Sequence, residues 1–223
     1  MCGRFVRTFT IADLVNELSV DASGVPALES NWNLPPTSKL HVVGHRDDRR
    51  VVRVMEWGLI PKWAKDDSRQ SSMINARVET AHEKPAFRSL VKKHRVVIPM
   101  SGFYEWERSE KVKVPYFFSP VGRAVLPVAG LWSSWQDPAN GETRATCAIL
   151  TTQANDDMDN IHDRMPCLLR PEDIEDWLDA DIDPVAVLEP LREIASGQLT
   201  HWRVSTRVNS VRNNDASLVE RDN

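Results

Sequence analysis

The chain is short of cysteine and has no long apolar run, no internal repeat and no low-complexity linker, and each shortage removes a class of protein. Three Cys, an odd number, with no C-x-x-C pair and no Cys/His run at ligand spacing, argue against a disulfide framework and against a structural zinc. No metal and no cofactor is expected. Residues 1–20 lack the apolar core of a secretion signal, and no stretch approaches the roughly 18 apolar residues of a membrane span. The expectation is a reducing, cytoplasmic setting with no membrane partner, and, for want of an apolar stripe, a monomer. Cys147 and Cys167, set in Thr146–Leu150 and beside Leu168, read as buried strand residues.

What is present is core-forming material and a divided charge. Eight Trp and 41% hydrophobic residues in 223 can fill one substantial core, and one domain of this size is common for sheet-rich folds. The net charge of -4 hides an asymmetry, since residues 1–113 balance to +5 and residues 114–223 to -9. Nine acidic residues and one Arg fall between Glu172 and Glu193. A polyanion would therefore meet the N-terminal half, and the acidic run reads as a solvated helical face.

The pattern is α+β. Thr10 before Asp13, Leu14, Val15 and Leu18 predicts an N-capped helix. Strands are expected at Arg50–Trp57, Arg95–Pro99, Tyr104–Glu107, Val114–Phe118, Val125–Trp132 and Thr146–Thr152, with helices at Glu83–Lys93, Pro171–Leu178 and Pro184–Ile194. The best arrangement is a single domain on a mixed, curved, barrel-like β-sheet flanked by helices, covering residues 1–212. The polar residues 213–223 are expected to fray.

Several segments carry chemistry beyond what folding needs. Cys2 is one residue from the start, and loss of Met1 would put an α-amine and a thiol on the same residue. Such a 1,2-aminothiol captures an aldehyde as an imine and then closes a five-membered thiazolidine. Holding the two groups together is worth roughly 7–11 kcal/mol of barrier in well-oriented cases. Glu105 lies among aromatics in Gly102-Phe103-Tyr104-Glu105-Trp106, where desolvation favours the protonated acid needed for acid-base work; the alternative is that it points to water beside Glu107. His162, Asp163 and Arg164 are consecutive, a density that suggests a site, while Asn75 and Arg77 offer an amide and a cation for a carbonyl or an anion. Trp57–Trp63 places Gly58 and Pro61 between large aromatics and reads as a shaped loop.

Met1–Phe5, Trp57–Pro61, Asn75–Thr80, Ile98-Pro99 with Gly102–Trp106, Ala129–Trp132 and Ile161–Pro166 occur in an order that resembles the SOS response-associated peptidase family. The resemblance runs from Cys2 to about Asn214. It implies a mixed α/β domain around a barrel-like sheet with a basic DNA groove. It also implies recognition of abasic sites in single-stranded DNA, a covalent bond through Cys2 after removal of Met1, and association with the nucleoid when DNA is bound. By the same resemblance Cys2 is the nucleophile, Asn75 and Glu105 its partners, and His162 the third polar group. Arg4, Arg77 and Arg164 are then the expected phosphate contacts, Pro36 and Trp63 wedge or stack against bases, and Thr151 supplies a hydroxyl near the pocket. Trp32-Asn33-Leu34-Pro35-Pro36 departs from the family's Tyr-Asn-Ile-Ala-Pro, which leaves the shape of the wedge loop open.

Two rival functions use the same residues. A cysteine peptidase acting in trans would take Cys2 as nucleophile and His162 as base, and would turn over peptides without DNA. A non-enzymatic reader of damaged or modified bases would bind reversibly, with strong salt dependence, and would survive loss of the Cys2 thiol. Only aldehyde capture demands that the Cys be residue 2.

Overall fold

β-Branched and aromatic runs settle into strands, and the computed structural model, which describes residues 2–47, 49–107 and 113–222, is built chiefly from them. In chain order the elements are β1 (Phe5–Arg7), α1 (Ile11–Leu18), β2 (Asn31–Leu34), β3 (Lys39–Arg46), β4 (Arg49–Trp57), β5 (Asn75–Arg77), α2 (Val78–Ala81), α3 (Leu90–Lys93), β6 (Arg95–Met100), β7 (Gly102–Glu107) and β8 (Val114–Pro120). There follow β9 (Leu126–Gln136), β10 (Thr143–Gln153), β11 (Arg164–Pro166), α4 (Ile174–Leu178), α5 (Pro184–Leu188) and β12 (Leu199–Arg203).

Strands β10, β4, β3, β6 and β9 pair in that order, and β9 pairs back onto β10, so the mixed sheet closes as a barrel. This is the α+β, barrel-like, single-domain fold expected from the sequence. A second sheet, β12-β8-β7-β1-β2, is antiparallel throughout and was not foreseeable from periodicity. Period-two alternation sends neighbouring residues to opposite faces. Trp57, Ile98, Val128, Cys147 and Ile149 join Phe5, Leu34, Phe103 and Phe118 of the second sheet in one core, which also holds Cys2. Val43, Val97, Ala129, Leu131, Ala148 and Leu150 form another core with α1, α3, α4 and α5. A third, around Tyr104 and Phe117, is covered by Val204, Val208 and Leu218.

The helices are shorter than expected, and proline is the reason at two of them. Helix α3 starts only at Leu90, because Pro85 cannot donate to a helical ladder and the chain turns through Arg88 N–H to Lys84 C=O instead (2.9 Å). Helix α5 stops at Leu188, where Pro190 shifts it to a tighter 3-10 turn, Glu189–Leu191. Pro171–Asp173 is likewise a 3-10 turn that leads into α4. Helix α1 matches its cap: Thr10 Oγ1 accepts from Asp13 N–H (3.1 Å) and Asp13 Oδ2 from Thr10 N–H (2.7 Å), a closed capping box.

The segment expected to fray is docked. Leu218 is fully buried, the Trp202 indole donates to Val219 C=O (2.8 Å), and Asn33 Nδ2 spans the Val208, Ser210 and Asn213 carbonyls at 3.2, 3.0 and 2.9 Å. Its polar composition hid one apolar residue in the right place.

Arg95 binds the helices to the barrel. Buried at the head of β6, it donates to Trp177 C=O (2.6 Å), Val91 C=O (2.7 Å) and Asp179 C=O, so one fork serves the carbonyl ends of α3 and α4. Lysine keeps the charge but not the planar fork. Arg95→Lys is expected to lower unfolding stability by about 2 kcal/mol or more, on the scale of charged buried hydrogen bonds. Urea titration followed by tryptophan fluorescence measures it, and an unchanged midpoint would refute the bracing role.

Candidate functional site

The start of the chain is built into the structure. Strand β1 lies between β2 and β7, with Phe5 opposite Leu34 on one side and Phe103 on the other, and Tyr104 N–H donates to Arg4 C=O (2.9 Å). Antiparallel pairing therefore carries β7 back toward Cys2. Gly102 opens β7 at φ +154°, where a Cβ would sit 2.4 Å from Phe118 O, so only glycine fits. Cys2 is 1% exposed. Its thiol is pushed far above the ordinary range, first by burial and then by the charge of the Glu105 carboxylate, which marks the two side chains as neighbours.

Asn75 comes from the barrel. Strand β5 runs parallel to β10, Asn75 beside Ile149, and Asn75 Nδ2 donates to the Cys2 carbonyl (3.0 Å). Its Oδ1 is buried and accepts no hydrogen bond among the described residues, which leaves an acceptor for an incoming donor. Glu105 is 3% exposed, so the solvent-facing alternative for this carboxylate does not hold. Cys2, Asn75 and Glu105 thus meet where the two sheets join.

His162 sits on a turn whose Met158 and Ile161 belong to the same core as Cys2. Its Nδ1 lies 3.0 Å from Arg164 N–H and 3.1 Å from Asp163 Oδ1. A backbone N–H only donates, so in the neutral ring Nδ1 accepts and the proton sits on Nε2; protonating Nδ1 would exchange the amide for the carboxylate.

The expected DNA contacts divide into two groups. Trp63 is 69% exposed, and Arg77 is exposed two positions along β5 from Asn75, on the same face. Pro36 is half-buried in a turn where Thr37 has φ +70°, a strained value for a β-branched residue, held by its N–H to Trp57 C=O (2.8 Å). The others are committed inward. Thr151, the hydroxyl expected near the pocket, is fully buried and donates to Ala76 C=O (3.4 Å). Arg164 is held bidentately by Glu79 (2.5 and 2.9 Å) and also reaches Thr151 C=O (2.6 Å); a phosphate would have to displace that carboxylate. Arg4 Nη1 is taken by Asn33 Oδ1 (2.7 Å) and Val208 C=O (3.1 Å).

The loop that presents Trp63 is an excursion between β4 and β5, which occupy successive stretches of the same edge of β10. Gly58, φ +114°, passes so close that a Cβ would lie 2.5 Å from Gln70 O. The buried Thr146 hydroxyl accepts from Ile60 N–H (2.9 Å), and the Trp135 indole donates to Ala64 C=O (2.8 Å). Arg144 then bonds Asp67 (2.8 Å), Glu56 (2.5 Å) and Gln70 (2.8 Å). Gly58 belongs to the loop read from the sequence, but Thr146, Trp135, Arg144 and Gln70 do not stand out there, because their role exists only across strands. Among the described residues no group of three or more His, Cys, Asp or Glu is placed to hold a metal ion. Nor does any helix among them have the length and apolarity to cross a membrane.

The family model described as SOS response associated peptidase (SRAP) matches residues 1–211. Over 224 residues the chain is 35% identical to a Bacillus subtilis protein named abasic site processing protein YoqW, covering 99% of each. It is 34% identical over 226 residues to a second B. subtilis protein, abasic site processing protein YoaM, covering 100% of this chain and 99% of that one. A crystal structure of a Bacteroides thetaiotaomicron protein shares the fold with a TM-score of 0.88 at 24% identity, covering 99% of this chain and 100% of that one.

The Arg144 network sets a pH-dependent expectation for the Trp63 loop. Burial works to raise the Glu56 carboxyl, but hydrogen bonds from Arg144 and Gln70 outweigh it and hold the carboxyl below its usual range. A depressed folded value means that the stabilisation is complete above the unfolded carboxylate value of about 4.3 and is lost as pH falls through the folded one. Protection factors for amide exchange at Ile60 and Ala64, which take account of the slower intrinsic exchange in acid, are expected to be high at neutral pH and to fall in acid, whereas Arg144→Met lowers them already at neutral pH. Equal protection in variant and parent would show that the network does not hold the loop.

Proposed function

The chain belongs to the SOS response associated peptidase family, and from that premise we propose that it senses abasic sites in single-stranded DNA and bonds to them covalently through Cys2. The observation that carries the reading is the setting of Cys2: a residue at the start of the chain, buried to 1%, with its carbonyl held by Asn75 and its thiol beside Glu105. Chain starts are ordinarily loose. Here β1 is paired on both edges and Asn75 holds the Cys2 carbonyl, so Cys2 is presented in a fixed position.

The chemistry follows from the groups present. Removal of Met1 frees the Cys2 amine, and we assign that hydrolysis to the same pocket, in cis, which accounts for a peptidase name without a peptide substrate. An abasic deoxyribose is mostly a closed hemiacetal, so Glu105 as general acid protonates the ring oxygen and releases the aldehyde. The amine attacks the carbonyl carbon, a C–N bond forms, and water leaves to give the imine. The buried thiol is not ionised on its own, and thiolate is the nucleophile, so it needs a base beside it. Glu105, by then deprotonated, takes the thiol proton, sulfur bonds to the imine carbon as the C=N π pair moves to nitrogen, and Glu105 hands the same proton on to that nitrogen. The sum is aldehyde plus aminothiol giving thiazolidine plus one water. Consuming the iminium removes the species that promotes β-elimination of the 3′ phosphate, so the lesion is shielded from strand cleavage.

Asn75 Nδ2 fixes the Cys2 backbone while its open Oδ1 accepts from the amine, and His162 Nε2–H donates to a sugar hydroxyl or phosphate. Arg77 takes a phosphate and Trp63 and Pro36 meet the flanking bases, with Arg4 and Arg164 acting through the groups they already hold. We place the action in the cytoplasm at the nucleoid.

Incubation with a single-stranded oligonucleotide bearing one abasic site, followed by denaturing electrophoresis and intact mass, tests this. A heat-resistant species of protein lacking Met1 plus DNA less one water is expected, and none with Cys2→Ala. Glu105→Gln is expected to slow its formation by about 100-fold or more while leaving reversible DNA binding nearly unchanged. Should no adduct form with Met1 verified absent, the covalent reading fails; salt-sensitive binding that survives Cys2→Ala would then favour a reversible reader.

A further inference from the structure

A cleft of about 880 Å³ opens beside α4 and α5, and no residue of the Cys2 site lines it. Its floor is apolar: Leu169, Trp177, Val187 and Leu191 belong to the helix-side core, and the partly buried Ile182 and Ile194 complete it. Its rim is acidic, with Asp173, Asp176, Glu189 and Glu193 against Arg170 and Arg192. Both arginines are already neutralised. Arg170 bonds Asp173 (2.6 and 2.7 Å), and Arg192 pairs with Glu189 (3.3 Å). Among the described residues Asp176 and Glu193 have no ion-pair partner, so the rim carries uncompensated negative charge around an apolar floor.

Those two properties select an occupant. Phosphate chains are repelled, which excludes nucleic acid from this face. An apolar side chain gains from leaving water for the floor, and cations beside it gain from the two free carboxylates. The acidic run between Glu172 and Glu193, read from the sequence as a solvated helical face, is therefore also the border of a concave surface. We propose that the cleft is a docking site for a basic, leucine-like segment of a partner protein, its apolar side chain seated between α4 and α5 and its Lys or Arg side chains facing Asp176 and Glu193. The site is independent of Cys2 chemistry, so a partner bound here stays attached to the protein while DNA occupies the Cys2 site.

The probe is a short fluorescein-labelled peptide with leucines set between lysines, followed by fluorescence anisotropy with the full chain. Saturable binding is expected, and Asp176→Lys with Glu193→Lys should weaken it about tenfold or more, since attraction becomes repulsion. Glu29→Lys with Glu142→Lys changes the net charge equally at exposed sites elsewhere and should leave affinity nearly intact. A probe with serine in place of leucine should bind weakly. Absence of saturable binding, equal loss from both charge reversals, or equal affinity of the serine probe would each overturn the proposal. So would light scattering showing that the unlabelled protein self-associates and that the Asp176/Glu193 reversal abolishes it, since the occupant would then be a second copy.

Discussion

The pairing of β1 between β2 and β7 is the constraint on which the rest depends. Three residues suffice because both edges are used: Phe5 faces Leu34 and Phe103, and Ser101 N–H and Tyr104 N–H close on Val6 and Arg4 carbonyls at 2.8 and 2.9 Å. Backbone hydrogen bonds in a dry interior are costly to leave unmade, so once β7 is in place the start of the chain is drawn in with it. Phe5 then packs on Trp57 with ring centroids 5.0 Å apart, and the Trp57 indole donates to Ile74 C=O (3.0 Å), next to Asn75. One short strand thus ties the second sheet, the barrel and the polar residues around Cys2 into a single unit.

Side chains that answer backbone groups do the remaining joining. Asn33, 1% exposed, gathers three carbonyls of the C-terminal segment and accepts from Arg4. Arg95 gathers the ends of α3 and α4, and the Asp157 carboxylate accepts from the amides of Gly197, Gln198 and Leu199, fixing the start of β12. Each bridges segments far apart in sequence, where a buried polar group without its partner would cost on the order of 1–3 kcal/mol. The same rule explains why Arg4 and Arg164, exposed cations by sequence pattern, turn inward: acceptors were waiting for them.

Part of the candidate site is legible in the order of residues alone. Cys2, Glu105 among aromatics and the His162-Asp163-Arg164 run stand out because each residue type conflicts with its neighbours' tendency to bury or to expose. Thr146, Trp135, Arg144 and Gln70, which hold the Trp63 loop, do not stand out, since each is unremarkable in its own strand or turn and acquires a role only from the segment beside it. The burial of Thr151 was not legible for the complementary reason: a hydroxyl in an alternating strand reads equally as surface or as core, and pairing beside Arg77 and Pro166 decided for core.

Sequence by itself determined the local matters: the capping box at Thr10, the long strands β4, β6, β9 and β10, the buried Cys147 and Cys167, and the division of charge between the halves. Periodicity and capping act within a few residues, so they survive in a one-dimensional reading. Closure of β9 onto β10, the second sheet and the docking of Leu218 were decided in three dimensions. Strands β2, β3 and β12 carry Asn33, His41 and His201 in place of clean alternation, and only their partners make strands of them. The bringing of Glu105 to the neighbourhood of Cys2 belongs to the same class, because the long stretch of chain between them specifies nothing about their distance until β7 returns to the start of the fold.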